Sequence, residues 1–274
     1  MSTLSIISWN MKNRSSNWEA VMESGADVAL LQETSQLPGQ YDNLVALAKD
    51  ENARGNSPVA AVAALSDRIG FDPIKTQPIG GDDPEALMVS RPGTVAAAVV
   101  RLPQSGEEIT IVSLYAFWSN PLKQTGSSWI YADASCHRLI SDLCAFIGQQ
   151  GRHKIIAAGD FNILYGYGEG NSKYWERRYD SVFDRMATLG FRFMGPQAPS
   201  GGRQANPWPD ELPADSKNVP TYHSNRQTPE TAARQLDYVF ASESIADRVK
   251  VRALNKPEEW GPSDHCRIMI EFRS

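Results

Sequence analysis

Short apolar runs recur along the whole of this chain, and most of them end against a polar residue. Residues 5–9, 28–31, 59–65, 94–102, 109–114, 155–158, 236–241, 249–254 and 266–272 are each of strand length. Gly, Pro and polar residues punctuate them, which predicts buried β-strands. Pro103, Ser105 and Gly106, between two of the runs, read as a hairpin. Helical spacing fills several gaps. Trp18, Val21 and Met22 follow a capping box at Ser16 and Glu19 and stop at Gly25. Cys136, Leu139, Ile140, Leu143, Cys144 and Ile147 share one face ahead of Gly148 and Gly151, and Trp175, Tyr179, Val182, Phe183 and Met186 precede Gly190. Residues 195–220, rich in Pro, Gly and small polar side chains, predict a long ordered loop or lid. With no repeat and strands continuing to the last residues, the chain reads as one α/β domain over 1–274.

Composition narrows the function classes. The chain is 41% hydrophobic over 274 residues, and no apolar run is long enough to cross a bilayer. The start, MSTLSIISWN, lacks the basic and apolar regions of a signal peptide, and Cys136, Cys144 and Cys266 show no metal-ligand spacing and cannot all pair. A reducing cytoplasm is the expected location, with no membrane association. A net charge of −5 argues against coating nucleic acid by bulk attraction but leaves room for a local basic groove beside an acidic centre.

The polar residues at the strand ends are the candidates for chemistry. Asn10 follows one strand, Glu33 the next, Tyr115 a third, and Asp160 and Asn162 close IIAAGDFN. Asp237 opens LDYVFAS, and Ser263, Asp264 and His265 precede CRIMIEF. Strand ends along one sheet edge lie near each other, so these side chains can converge on one pocket. Each also has a purely structural role open to it: Asn10 as a turn residue, Glu33 as a helix-start acid, Tyr115 as a half-buried aromatic, Asp264 as a cap, His265 as a satisfied strand histidine. In an extended chain, Asp160 and Asn162 would face the same way.

In their order, SWN, LLQET, GDFN, LDYVFAS and SDHCRI resemble the endonuclease/exonuclease/phosphatase superfamily, over nearly the whole chain. The resemblance implies a four-layer α/β sandwich, two mixed sheets face to face with helices outside, and Mg²⁺-dependent phosphoester hydrolysis in which Mn²⁺ can substitute. It implies Glu33 as the principal metal ligand with Asn10 and Asp264 near the ion. Asp160 would hold or deprotonate the attacking water, Asn162 would donate to the phosphorane, and Asp237 would orient His265 against the scissile phosphate. Tyr115 stands where the abasic-site endonucleases carry a phosphate-contacting tyrosine.

Three functions follow as alternatives. The first is a nuclease, DNA favoured and RNA open, with Lys173, Arg177, Arg178 and Trp208 beyond the cut phosphate and exposed aromatics among Trp118, Trp129, Trp175, Trp208 and Trp260 stacking bases. The second is a phosphatase or phosphodiesterase acting on a small or lipid-linked phosphate. The third is a non-catalytic binding module on the same fold.

Overall fold

A computed structural model of the chain describes residues 3–34, 45–47, 59–102, 104–118, 131–148 and 151–274. One six-stranded sheet runs in the order β13 (Val249–Ala253), β14 (Ile268–Arg273), β1 (Thr3–Asn10), β2 (Val28–Thr34), β4 (Val59–Ala64), β3 (Val45–Leu47). The second runs β11 (Phe191–Gly195), β12 (Asp237–Ser242), β10 (Ile155–Asp160), β9 (Glu108–Tyr115), β8 (Val95–Arg101), β5 (Gly70–Ile74). Each sheet has one parallel pair near its centre, β1 with β2 and β9 with β10, flanked by antiparallel neighbours. A small parallel pair, β6 (Thr76–Pro78) and β7 (Leu87–Val89), stands apart.

The period-2 alternation of strands sorts their side chains into layers. Leu4, Ile6, Val28 and Leu30 of the first sheet meet Ala98, Ile111, Ile156, Ala158 and Val239 of the second in a shared interior. The opposite faces are covered by helices. Ile7, Trp9, Ala29 and Leu31 lie under Trp18 and Val21 of α1 (Asn17–Met22). Val112, Leu114, Ala157 and Phe240 lie under Cys136 and Leu139 of α2 (Ala132–Leu143) and Trp175 and Phe183 of α3 (Lys173–Thr188). The result is a four-layer α/β sandwich with two mixed sheets inside. Full burial of each large aliphatic side chain contributes roughly 1.5–3 kcal/mol to holding the layers together.

The same alternation aims the chemistry. In β1, the inward series Leu4, Ile6 continues to Asn10; in β9, Ile109 and Ile111 continue to Tyr115. In β10 the series Ile156, Ala158 reaches Asp160, and β12 begins its own with Asp237. Register then brings them level: Asp160 is opposite Tyr115 on one side and Asp237 on the other. All stand at one end of the sandwich, between the sheets.

Local departures from the sequence reading have local causes. The capping box at Ser16 does not form, because Ser16 adopts a helical backbone and its side chain caps nothing; instead the buried Asn17 donates to Met11 O at 3.0 Å. The stripe through Cys136 leaves α-geometry at Leu143 and finishes as a 3₁₀ turn over Cys144–Phe146, so the helix stops before Gly148. Cys136 and Cys266 are buried and Cys144 is half-buried, all three free. The expected hairpin joins β8 to β9 with Gly106 at φ 65, Pro103 lying outside the described residues. The edge strands β5 and β11 are additions to the sequence reading. Pro73 masks the first, and an edge strand tolerates it because one side of its backbone is unpaired.

Gly159 is the tightest point of this frame. A Cβ built there would lie 1.9 Å from Leu114 O of the neighbouring strand, so β10 can approach β9 only with glycine at this position. Gly159→Ala is expected to destabilise the fold by about 3 kcal/mol or more, since backbone rather than a flexible side chain must yield. Gly148→Ala, where the new Cβ meets nothing within 4 Å, is the control and should leave the denaturation midpoint in place.

Candidate active site

Asn10 sits at the centre of the inter-sheet cluster. Its Nδ2 donates to Asp160 Oδ2 at 2.9 Å and to Glu33 Oε1 at 3.1 Å, while its Oδ1 accepts from Lys12 N at 2.9 Å. The Lys12 N–H fixes which end of the amide is oxygen. Asn10 is therefore a clamp between two carboxylates, with its own oxygen already engaged.

Glu33 reaches this clamp by an unusual backbone. Leu31 of β2 faces α1, so plain alternation would send Glu33 to the same outer side. Glu33 instead takes φ 51, where the pairing with β4 shifts register, and its side chain turns into the cleft. A non-glycine residue there costs about 1–2 kcal/mol, and such strain is commonly retained at functional positions. Tyr115 OH donates to the same Glu33 Oε1 at 3.1 Å. Burial pushes the Tyr115 phenol far up, with the charges of Glu33 and Asp160 adding to the effect, so it stays a donor. Glu33 Oε2 has no hydrogen-bond partner among the described residues.

Asn162 is in the same left-handed region, at φ 52. The strand has already ended at Asp160, so extended-chain alternation is not what brings the two side chains together. The link is a local turn in which Asn162 N donates to Asp160 Oδ1 at 2.9 Å. The amide then donates to Asp160 Oδ2 and Ala116 O, each at 3.0 Å, which engages both of its hydrogens. In this state Asn162 holds Asp160 in place.

The third element joins the sheets again. His265 Nδ1 is 2.8 Å from Asp237 Oδ2, and His265 Nε2 lies 3.9 Å from Asp160 Oδ2, a gap that one bridging oxygen can span. Burial alone would lower the imidazole's proton affinity, but Asp237 and Asp160 outweigh it and push His265 up to about 10. Burial raises Asp160 to about 7; the His265 charge opposes this, and Asp237 and Glu33 reinforce it. The pair thus offers a cationic N–H donor beside a carboxylate that gains and loses its proton near neutrality.

Glu33, Tyr115, Asp160, Asn162 and His265 wall a cleft of ≈ 320 Å³ that also takes in Phe117, Trp118, Tyr222 and Asp264, with Asn10 and Asp237 behind its wall. Asp264 Oδ2 is paired with Lys12 Nζ at 2.7 Å, so a cation bound there would compete with an ammonium already present. Donor atoms of Asp160, Asp237 and His265 lie within 4.8 Å of one another, close enough to share a metal ion. Asp237 and His265 already satisfy each other, however, and Asp160 accepts from both asparagines. Glu33, with an oxygen unengaged by the described residues on an open cleft, is the hard donor best suited to a divalent cation.

The remaining sequence candidates divide. Arg178 pairs with Asp133 at 2.6 Å and packs against Tyr131, Tyr174 and Trp175, which ties α3 to α2. Neither Arg177, Arg178 nor Trp208 lines the cleft or its extension. Trp175 and Trp260 are buried, Trp129 lies outside the described residues, and Trp118 is 57% exposed on the cleft. Sequence reasoning passed over Lys12, Tyr222 and Phe117, whose only signal is spatial, as well as Arg91, whose guanidinium lies 4.2 Å from the Phe117 ring centroid.

No family model and no curated protein matches the sequence. Solved structures do match over almost its whole length. They include the AP endonuclease of Leishmania major (18% identity, TM-score 0.65, covering 99% of this chain and 88% of that one). The catalytic domain of APE2 from Xenopus laevis matches at 12% identity and TM-score 0.66, covering 97% and 91%. The 3′-5′ exonuclease NExo of Neisseria meningitidis matches at 18% identity and TM-score 0.60, covering 99% and 100%. The chain has the DNase I-like endonuclease/exonuclease/phosphatase fold.

Two measurements probe this geometry. Because the folded pKa of His265 lies above the ordinary imidazole value of 6.5, its contribution to stability is complete below that pH and is lost as pH rises toward about 10. The metal-free protein should therefore lose melting temperature between pH 7 and 9, and His265→Gln should flatten that slope. In a calorimetric titration with Mn²⁺, Glu33→Gln should weaken binding by tenfold or more while Asp264→Asn, relieved of its salt bridge rather than of the ion, weakens it less.

Proposed function

We propose that this chain is a divalent-metal-dependent phosphodiester hydrolase that cuts nucleic acid, with DNA the favoured substrate. The observation that carries the reading is the hydrogen-bonded line Glu33–Asn10–Asp160 facing His265–Asp237 across one open cleft. Among its neighbours in fold are AP endonucleases and NExo, which has a structure with a product DNA hairpin, and these favour a polynucleotide over a lipid head group.

The residues divide the work as follows. Asp160, held by both asparagines, accepts the proton of the attacking water as its oxygen bonds to phosphorus; a base whose pKa lies near the working pH is suited to that step. The P–O bond to the leaving strand breaks, and the departing oxygen takes a proton from solvent. His265, kept cationic by Asp237, donates from Nε2 to a non-bridging phosphoryl oxygen and stabilises the charge gathering there. Tyr115 and Asn10 orient Glu33, which would hold the cation, Mg²⁺ or in its place Mn²⁺. When bound, that ion neutralises phosphoryl charge and polarises the P–O bond. Asp264 and Lys12 frame the far side of the cleft. The proposed place of work is the cytoplasm.

Purified protein with Mg²⁺ should be incubated with plasmid, single-stranded DNA, abasic duplex, RNA and a phosphomonoester. Cleavage of a polynucleotide that stops in excess chelator is expected; release of phosphate from the monoester alone would replace this reading by a phosphatase. Asp160→Asn and His265→Ala should each lower turnover on the order of 10²–10⁴-fold. Asp237→Asn should cost less, and combined with His265→Ala it should add almost nothing, because the two residues act as a unit. Multiplicative losses would break the pairing.

A further inference from the structure

The reaction cleft opens into a second one of ≈ 470 Å³, and the two share Trp118, Asn162 and Tyr222. A substrate whose phosphorus faces Asp160 and His265 can extend past those shared residues. What the second cleft offers it is therefore a statement about the group next to the cut phosphate.

Its charges argue against another phosphate. Glu169 and Glu211 line it, and Arg234 is its one cationic side chain among the described residues. These charges are already arranged among themselves: Glu169 Oε2 accepts from Tyr179 OH at 2.5 Å, and Glu211 accepts from Gly170 N at 3.1 Å and from Arg234 at 3.4 Å. Two carboxylates against one guanidinium repel a polyanionic head group. They accept a neutral polar one.

Its surfaces favour a flat ring. Trp118 presents an indole that is 57% exposed at the mouth, an apolar face on which a flat ring can lie. Tyr222, its ring centroid 5.0 Å from that of His265, carries the aromatic wall from the reacting centre into the second cleft, and Pro209 adds an apolar edge. Around these stand fixed polar groups. Gln227 is held by Ser224 and Thr231, and the Arg234 fork makes a single bond to Glu211, leaving N–H donors for ring nitrogens and carbonyls.

We infer that the second cleft is a nucleobase pocket, which takes the base of the nucleotide flanking the cut phosphate and stacks it on Trp118. This deepens the phosphodiesterase reading and rests on it. The volume holds one nucleoside, and a base inside it cannot remain paired. The substrate is then a single strand, a frayed end or an unpaired nucleotide, and an inositol polyphosphate is excluded.

The test uses the full chain with Mg²⁺ and one oligonucleotide presented three ways: as a single strand, annealed to its complement, and as a single strand with a tetrahydrofuran abasic unit on either side of the cut. Bis(p-nitrophenyl) phosphate serves as a diester without bases. The single strand should be cut at least tenfold more efficiently than the duplex. Removing the base on one side should raise KM on the order of ten- to a hundredfold, as lost base–aromatic stacking does. Trp118→Ala should cause the same loss on the intact strand and almost none on the abasic one, and Trp118→Phe should restore most of it. Equal rates with and without the base, or a Trp118→Ala defect of equal size on both, would overturn the pocket. Failure to hydrolyse any diester, the nitrophenyl ester included, would instead overturn the reading beneath it.

Discussion

Everything at this site depends on a single amide. Asn10 ends a strand of one sheet and Asp160 ends a strand of the other, and the Asn10 side chain binds Asp160 and Glu33 with the same nitrogen. Two carboxylates brought together between sheets, in a medium of low effective dielectric, would push the layers apart. One amide donor between them turns that repulsion into a bridge. The His265–Asp237 contact does the same a few ångströms away, since Asp237 opens a strand of the second sheet and His265 leads into β14 of the first. A third link, Gln32 to Ser113 at 2.9 Å, lies deeper along the same seam. The site exists only when the sandwich is closed, and partly satisfied networks of this kind are costly, which makes closure and the geometry of the site one event.

Left-handed backbone at Glu33 and Asn162 expresses the same constraint. Regular strands deliver Asn10, Tyr115, Asp160 and Asp237 by alternation without strain. They cannot deliver a residue of the wrong parity, or one beyond the strand end. Glu33 and Asn162 are those two residues, and each reaches the cleft through a conformation that side chains other than glycine adopt at some cost. Asn162 bears it easily, as asparagine does. Glu33 has no such excuse, and its strain is held in place by Asn10 and Tyr115 on its carboxylate and by Asn13 N on its carbonyl.

This division also explains how much the sequence revealed. Strand ends are legible because apolar runs stop abruptly, so Asn10, Tyr115, Asp160, Asp237 and His265 stood out, and the layered α/β fold with them. Orientation is less legible. That Asn10 would turn its nitrogen to the acids, or that Asn162 would support Asp160 from a turn, depends on partners 23 to 150 positions away and on one dihedral angle. Charge is the least legible of all. Arg178 read as a polymer contact, and its pairing with Asp133, on another helix, had no trace in the local sequence. Lys12 looked like nothing until it met Asp264. The edge strands β5 and β11 lack a second neighbour to demand an apolar pattern and left no comparable trace, whereas β13, also at an edge, kept an apolar run that could be read.

The charge inventory of the cleft gives a physical reason for a cation that does not depend on the fold's relatives. Glu33, Asp160 and Asp264 line the cleft and Asp237 stands against His265, four carboxylates answered by His265 and Lys12, with Arg91 stacked on the Phe117 ring. A phosphodiester would add another negative charge to a cleft that already carries more acids than bases. Lys12 and Asp264 cancel each other, and Asp237 offsets the charge of His265 at Nδ1, so the Nε2–H donor is left for the incoming group but little net positive charge goes with it. What remains is Glu33 and Asp160, two acids on one amide. Raising Asp160 to about 7 relieves part of the repulsion by protonation, but a protonated Asp160 cannot take a proton from water. On the proposed reading, a divalent ion held by Glu33 would resolve the conflict, because its field would favour the ionised form of Asp160 while drawing the phosphate in. The same excess of acids that would oppose phosphate binding would then also hold the proton on Asp160, and one cation would answer both.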